Sequence, residues 1–512
     1  MYKTHFLFCL IVVSLFSSFF ACNDNYEDYS VNPGDVLSFS RDTVHFDTVL
    51  TTINTPVQYL MVYNRNSKPL LISSIGIESG EASEFKINVD GIAGKTFQDI
   101  AIRPKDSLYI LVDLKPEMNG EVNPTLLEDY IVFTTNGVRQ KVLLEAYGQD
   151  VFIWEGKILS SDTLICASKP ILIRDSLLID ENARLSVEEG VCFYMDNNAK
   201  VIVKGSISLK GSQENPVVFR GRRTDYLLSS LSYDLVPGQW DGFYFHENSF
   251  GNEIEYAYIR NGKSGLYFEA SDPGKEKMRM KNVILSNFSG ALIESINCWI
   301  TAENCEFSNS RFALLNLTGG IYRFTHCTLG NFMLSSPQLG WANSNNETLI
   351  LNNGYQPLPA PGEKELPDSV FFPLIQADFT NTIIWGKNYL SHSKIQLNKK
   401  EGQEFNFLFR NCIIPNKGEN DEQFIDCIFN TYPVFAKTSL QDPETEEYGP
   451  VNLRLKEKEN EKSAEISPAI DKADPEYSKD LPLDLDGNDR LSDGKPDIGA
   501  YEFKPQEEKQ DQ

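Results

Sequence analysis

Between residues 34 and 150, apolar and polar side chains alternate in short runs. Val57-Gln58-Tyr59-Leu60-Met61-Val62-Tyr63, Phe85-Lys86-Ile87-Asn88-Val89 and Ser107-Leu108-Tyr109-Ile110-Leu111-Val112-Asp113-Leu114 are three of them. A period of two sends alternate side chains to opposite faces of a strand. Turn formers separate the runs: Asn64 to Pro69, Asp90-Gly91, Pro104-Lys105-Asp106 and Asn136-Gly137. Short strands at this spacing, with no helical period between them, predict an antiparallel β-sandwich.

From 151 to 440 a longer repeat takes over. Ala257, Val283, Cys305, Cys327, Thr382 and Cys412 can be set at one anchor position. Three residues earlier stand Ile254, Met280, Ala302, Phe324, Phe379 and Phe409, and two residues later stand Ile259, Leu285, Phe307, Leu329, Ile384 and Ile414. Four residues after the anchor stand Asn261, Asn287, Asn309, Asn331, Gly386 and Asn416; nine after the first three stand Leu266, Leu292 and Leu314. The anchors lie 26, 22, 22, 55 and 30 residues apart. A period near 22, read as three short strands per coil, predicts a right-handed parallel β-helix. Inward side chains then stack on their equivalents one coil away, about 4.8 Å along the axis. Asn tolerates the left-handed backbone of a tight bend and can form a hydrogen-bonded ladder along the column. The 55-residue gap predicts a Pro-rich loop over 335–373, a place where a rigid scaffold can carry binding. A repeat array exposes an apolar end, so 441–503 is expected to cap it, and 504–512 is expected to be a disordered tail.

The fold class expected is therefore all-β: a sandwich over 34–150, then a right-handed parallel β-helix with a C-terminal cap. Lys3 and the apolar run Phe6 to Phe20 read as an export signal, too short to span a bilayer comfortably. Lys+Arg total 47 and Asp+Glu 72, a formal charge of −25. Such a chain repels phosphate backbones, so no nucleic-acid partner is expected, and unassisted binding of polyanionic sugars is disfavoured. Of nine Cys, those at 166, 192, 298, 305, 327, 412 and 427 follow the leader and Cys22. Their odd number requires a free thiol, and all seven read as small buried residues, those at the anchor as fillers of its column. Cys305 and Cys327, neighbours in one column, are expected to stay thiols, because parallel stacking rarely gives the disulfide torsion.

Several segments resemble known families. Phe19-Phe20-Ala21-Cys22 resembles the lipobox of bacterial lipoproteins, with Phe19 in place of the usual Leu. The resemblance implies cleavage after residues 1–21 and lipid on Cys22. The tether 22–33, with Asp24, Glu27 and Asp28, resembles the acidic signal that sends some lipoproteins to the outer face of the outer membrane. Facing the periplasm is the alternative. "YNRNSKPLLISSI" (63–75), "IRPKDSLYILVDLKP" (102–116) and "VLLEAYGQ" (142–149) resemble Ig-like domains of the Hydin type, usually spacers or interaction modules. "ARLSVEEGVCFYMDNNAKVIVKGSISLKGSQENPVVFRG" (183–221) and "GQWDGFYF" (238–245) resemble the first coils of bacterial β-helix proteins. "SPAID" (467–471), "LDLDGNDR" (483–490) and "DIGAYEF" (497–503) resemble the choice-of-anchor Q domain that closes exported β-helix proteins.

Candidate chemistry is sparse. Asp484, Asp486 and Asn488 have the spacing of a calcium loop, but Asp489 replaces its Gly and Lys495 its final Glu, so a solvated turn is favoured over Ca2+. No cofactor is otherwise implied. The elements of polygalacturonases are missing, as are nucleophile elbows and phosphate loops. His326 sits where Asn282, Asn304, Asn381 and Asn411 stand in other coils, which assigns it to a bend. Among Trp240, Trp299, Trp341 and Trp385, Trp341 (in the 335–373 loop) and Trp385 are the candidates for stacking a sugar, Trp385 because it follows the inward Ile384 and should face outward. The function read here is non-catalytic binding of carbohydrate or protein at the cell envelope. The alternatives are a polysaccharide lyase or glycoside hydrolase, and a structural or adhesive rod. A lyase would need bunched bases such as Lys281, Arg311, Arg323 and Arg410.

Overall fold

The computed structural model describes residues 28–504 apart from 167, 229, 334–346, 358–366, 387–394, 443, 457, 461–462 and 493. Cys22, the leader, Trp341 and nearly all of 504–512 lie outside the described residues. The chain is all-β and divides into two compact units, Met1–Gln149 and Asp150–Gln512.

The first unit packs two five-stranded sheets face to face. One orders Ser38–Phe39, Gln58–Tyr63, Ser107–Leu114, Phe85–Val89 and Ile92–Gly94. The other orders Thr43–Leu50, Val138–Gln149, Thr125–Thr135, Leu70–Ile77 and Thr96–Ile102. The alternation seen in the sequence decides which side chains meet: Leu60, Val62, Ile110, Val112, Phe133 and Leu144 are fully enclosed between the sheets. Each such side chain contributes about 1.5–3 kcal/mol of burial free energy. Asn64 holds the first turn by donating from Nδ2 to the carbonyls of Lys68, Ile102 and Arg103.

The second unit is a parallel β-helix built from one continuous sheet of 26 strands, each paired with its counterpart one coil on. Its register is the repeat. Ala257 pairs with Val283, and Ile254 pairs with Met280, then Ala302, Phe324, Phe379 and Phe409. Ile259, Leu285, Phe307, Leu329 and Ile384 form the second interior column. Phe324, Phe379, Phe409 and Phe424 stack at 4.9–5.2 Å with interplanar angles of 5–13°. Stacked rings of this kind hold adjacent coils in register while filling the interior.

Most bends use the residues expected of them, although Asn331, Gly386 and Asn416 are not left-handed. Asn282, Asn304, His326, Asn381 and Asn411 all have φ between 46° and 56°, and Asn261, Asn287 and Asn309 between 60° and 71°. Asn304 Nδ2 donates to Asn282 Oδ1 at 2.6 Å, and Asn309 Nδ2 to Asn287 Oδ1 at 3.3 Å, which makes the ladder. All seven described cysteines are free thiols. Five are buried, but Cys166 is exposed and Cys192 half-buried, because these two sit outside the interior columns.

Two expectations need correction. The Leu at nine past the anchor does not align throughout: Leu266 pairs with Ile293, and Ile293 with Leu315. The bend after Asn261 is one residue shorter than those after Asn287 and Asn309, and the register slips accordingly. The stretch 335–373 is not one loop, since Leu349–Asn352 is a full rung paired with Leu315–Thr318 and Ile395–Asn398. The C-terminal segment lies along the flank, over the outward side chains next to the anchors.

That flank explains the segment's docking. Ile284, Glu306, Thr328, Ile383, Ile413 and Ile428 each stand one residue past an interior position and point out of the coil. Ile383, Trp385 and Ile413 form a separate core with Phe435 just before the C-terminal segment and with Leu453, Ala469, Leu485, Ile498 and Tyr501 of that segment. Polar ties lock it: Tyr501 Oη donates to Glu306 Oε2 at 2.5 Å, Ala500 N to Thr328 Oγ1 at 2.9 Å, and Gly499 N to the Asn381 carbonyl at 2.9 Å. Arg490, fully buried, donates to Glu502 Oε1 at 2.7 Å and to Asn304 Oδ1 of the helix at 2.6 Å.

Burial pushes Glu502 from 4.5 up to about 7, with Asp497 adding to the rise and Arg490 opposing it. The folded state therefore binds this proton more tightly than the unfolded chain, and the group's contribution to stability falls as pH rises from about 4.5 to about 7. His326, held neutral by burial, changes stability in the opposite sense below its ordinary value, so the comparison must be differential. A Glu502→Gln variant is expected to gain on the wild type across that window, by at most about 1.4 kcal/mol per pH unit. Denaturant midpoints at pH 4.5 and pH 7 measure it. A difference between the two proteins that does not change with pH would remove the assignment.

Candidate functional site

Each coil presents a third strand whose outward positions are not covered by the C-terminal segment. Register places Tyr244, Tyr267, Glu294, Asn316, Ile350 and Gln396 in one outward column of this sheet. Beside it run Ile296, Thr318, Asn352 and Asn398. All of these except Tyr244, together with Phe312, Gly354, Tyr355, Gln356 and Pro357, line a groove of about 610 Å³. One wall is the short pair Gly354–Tyr355 and Val370–Phe371. Phe312 is 42% exposed, high for a ring that packs against a core, and stands at the groove.

The amides of the groove form a chain. Gln396 Nε2 donates to Asn398 Oδ1 at 3.1 Å, Asn398 Nδ2 to Asn352 Oδ1 at 2.8 Å, and Asn352 Nδ2 to Asn316 Oδ1 at 3.0 Å. Aligned amides polarise one another and leave a donor at one end and an acceptor at the other. Tyr244 and Tyr267 lie 6.0 Å apart, their planes tilted by 53°. Burial raises the Glu294 carboxyl above its ordinary value. Burial, with Glu294 and Glu269 nearby, also raises the Tyr267 phenol. Aromatic faces beside amides and a hydroxyl suit recognition of a flat, hydroxylated ligand. Glycoside hydrolysis needs two carboxyl groups flanking one bond, and Glu294 is the only one among the described lining residues.

The residues singled out in the sequence fall elsewhere. Trp385 does point out of the coil, but the C-terminal segment covers it and leaves it 1% exposed, so it cannot stack a ligand in this fold. Trp240 is fully buried, its indole donating to the Arg260 carbonyl at 2.8 Å. Trp299 carries the Arg323 guanidinium 5.1 Å above its ring. Asp484 is also committed. Its Oδ1 accepts from the main-chain N–H of Asp486 and Asn488, and its Oδ2 from Asn488 Nδ2 and the Glu502 N–H. Asp486 pairs with Arg454 at 2.5 Å. The three residues thus form a closed turn in which both Asp484 oxygens already accept hydrogen bonds. Lys281 and Arg323 sit in different columns, and Arg410 reaches over Tyr477, so these bases do not converge.

Two other arrangements resemble sites but are filled. His326 Nε2 of the helix and Ser478 Oγ of the C-terminal segment are 2.8 Å apart, a nucleophile-like pair, yet both are buried where the two meet, His326 tied also to Asn381 and Gly499 and Ser478 to the Asp474 carbonyl. A second groove of about 600 Å³ is lined by Tyr226, Asp234, Arg260, Ser286 and Tyr448 among others. There Asp234 is clamped by Arg220 at 3.0 Å and by a two-pronged contact from Arg260 at 3.0 Å, so this carboxylate is already engaged.

The sequence reading missed Tyr267, Glu294, Asn316, Asn352 and Asn398. The signal was the same repeat, carried one strand further than the anchor and its Asn.

No family model matches the sequence, and no curated protein does. Among solved structures, the chain is similar to a family 123 glycoside hydrolase from Clostridium perfringens at 11% identity and a TM-score of 0.16, over 22% of this chain and 26% of that one. It is likewise similar to the VesB protease of Vibrio cholerae at 10% identity and a TM-score of 0.16, over 22% of this chain and 31% of that one. The chain spans under a third of either protein, and likeness this slight carries no argument about chemistry.

Proposed function

We propose that this protein is a non-catalytic carbohydrate-binding lipoprotein of the cell envelope. Lipid on Cys22 anchors it to the outer membrane, facing outward. The Ig-like sandwich is a spacer, and the choice-of-anchor Q-like segment clamps the helix flank. The observation that carries the binding reading is the groove over Tyr267, Asn316, Asn352 and Asn398, where rings and amides converge without a catalytic carboxyl pair.

A soluble form, residues 23–512, applied to a glycan array is expected to retain particular oligosaccharides. Each retained sugar is then incubated with the protein and assayed for new reducing ends and unsaturated products. Retention without product is the expected result. Product formation would replace this reading with a hydrolase or lyase, and no retention at all would leave a structural rod or a protein adhesin.

A further inference from the structure

The groove's lining fixes the charge class of what it takes. Among its described lining residues there is no Lys, Arg or His. Glu294 is partly enclosed there and makes no hydrogen bond or ion pair among the described residues. A uronate or sulfate entering the groove would lose its hydration, gain no cation from these described residues, and face this carboxyl. The overall charge of −25 adds to the repulsion.

The amide chain points the same way. Its hydrogen bonds run from Gln396 through Asn398 and Asn352 to Asn316. Asn316 Nδ2 is left as an unused donor and Gln396 Oε1 as an unused acceptor among the described residues. Hydroxyl and acetamido groups satisfy both, since each can donate and accept, whereas a carboxylate can only accept. Tyr267, Tyr355 and the exposed Phe312 ring supply faces for the apolar side of a pyranose.

We infer that the groove binds an uncharged pyranoside glycan, with its hydroxyl or acetamido groups bridging Asn316 and Gln396 and its rings against Tyr267 and Phe312. This rests on the carbohydrate-binding reading above. The test is calorimetric titration of the full chain, held in a sugar-free detergent, with three sets of oligosaccharides of equal length: neutral hexoses, N-acetylhexosamines and uronates. One of the two neutral sets binds, which tells hexose from N-acetylhexosamine, and the uronates bind at least about tenfold more weakly. Tyr267→Ala weakens the bound set about tenfold, whereas Tyr267→Phe keeps the ring and most of the affinity. Glu294→Gln narrows the gap between neutral and uronate ligands. If uronates bind as well as neutral sugars, and Tyr267→Ala weakens them, the groove reading stands and the charge class falls. If no set binds, or if Tyr267→Ala and Asn352→Ala leave the affinity unchanged, the groove reading falls with it.

Discussion

Replacing Arg490 with Leu is expected to destabilise the Asp150–Gln512 unit by about 3–5 kcal/mol. The guanidinium has no exposed surface, and it alone joins Glu502 of the C-terminal segment to Asn304 of the helix. Asp484 and Asp497 lie close enough to act on it electrostatically. Removing it leaves Glu502 and the already strained Asp497 carboxyl buried without a cation, and leaves Asn304 Oδ1 short of a donor. Loss of one partner of a buried pair costs more than loss of both. Arg490→Leu combined with Glu502→Leu should therefore recover part of the stability. Denaturant unfolding of the two variants, with protease sensitivity of residues 441–503 as a local readout, measures this. A single-variant loss below about 1 kcal/mol would mean that the interface relaxes and admits water to Glu502.

The fold was legible wherever one residue's environment repeats. Stacking demands the same kind of side chain at Ala257, Val283, Cys305 and their successors, so the anchor column and its two apolar companions could be aligned without coordinates. The bends were legible for the same reason: left-handed backbone selects Asn, and His326 shares their conformation. What a repeat cannot reveal is contact between segments far apart in sequence. Ile383 and Ile413 look like surplus apolar residues on an outward face until residues 453–501 are laid over them. The same distance hid the Ser478–His326 pair and turned the 1-3-5 carboxylates into a closed turn, since one of the donors to Asp484 comes from Glu502. The groove was half legible. Its residues occupy regular positions, but Leu349–Asn352 returns to the stack after a gap that concealed its rung, and the slip at Leu266 displaced the column by one.

Trp385 is where the two accounts diverge most, and a Trp385→Ala substitution separates them. In the stack it succeeds Gly330, whose missing side chain leaves room for Leu453 of the C-terminal segment to descend on the flank. Trp385 fills the next coil, its ring 6.0 Å from Tyr432 and in the same cluster as Phe435 and Leu453. An indole enclosed on all sides is a packing element, and its removal opens a cavity that Leu453 and Ile413 cannot close without moving the segment. Truncation to Ala is accordingly expected to cost about 3–5 kcal/mol. A ligand-stacking Trp would behave in reverse, losing sugar affinity with stability nearly intact. The expected outcome is a lowered denaturant midpoint, faster cleavage of the C-terminal segment, and unchanged glycan affinity under conditions where the variant remains folded. Unchanged stability with lost affinity would mean that the segment lifts off the flank and that Trp385, not Tyr267, meets the sugar. The Tyr267→Ala variant supplies the complementary pattern, because its ring lies on the open sheet and the C-terminal segment's core does not include it.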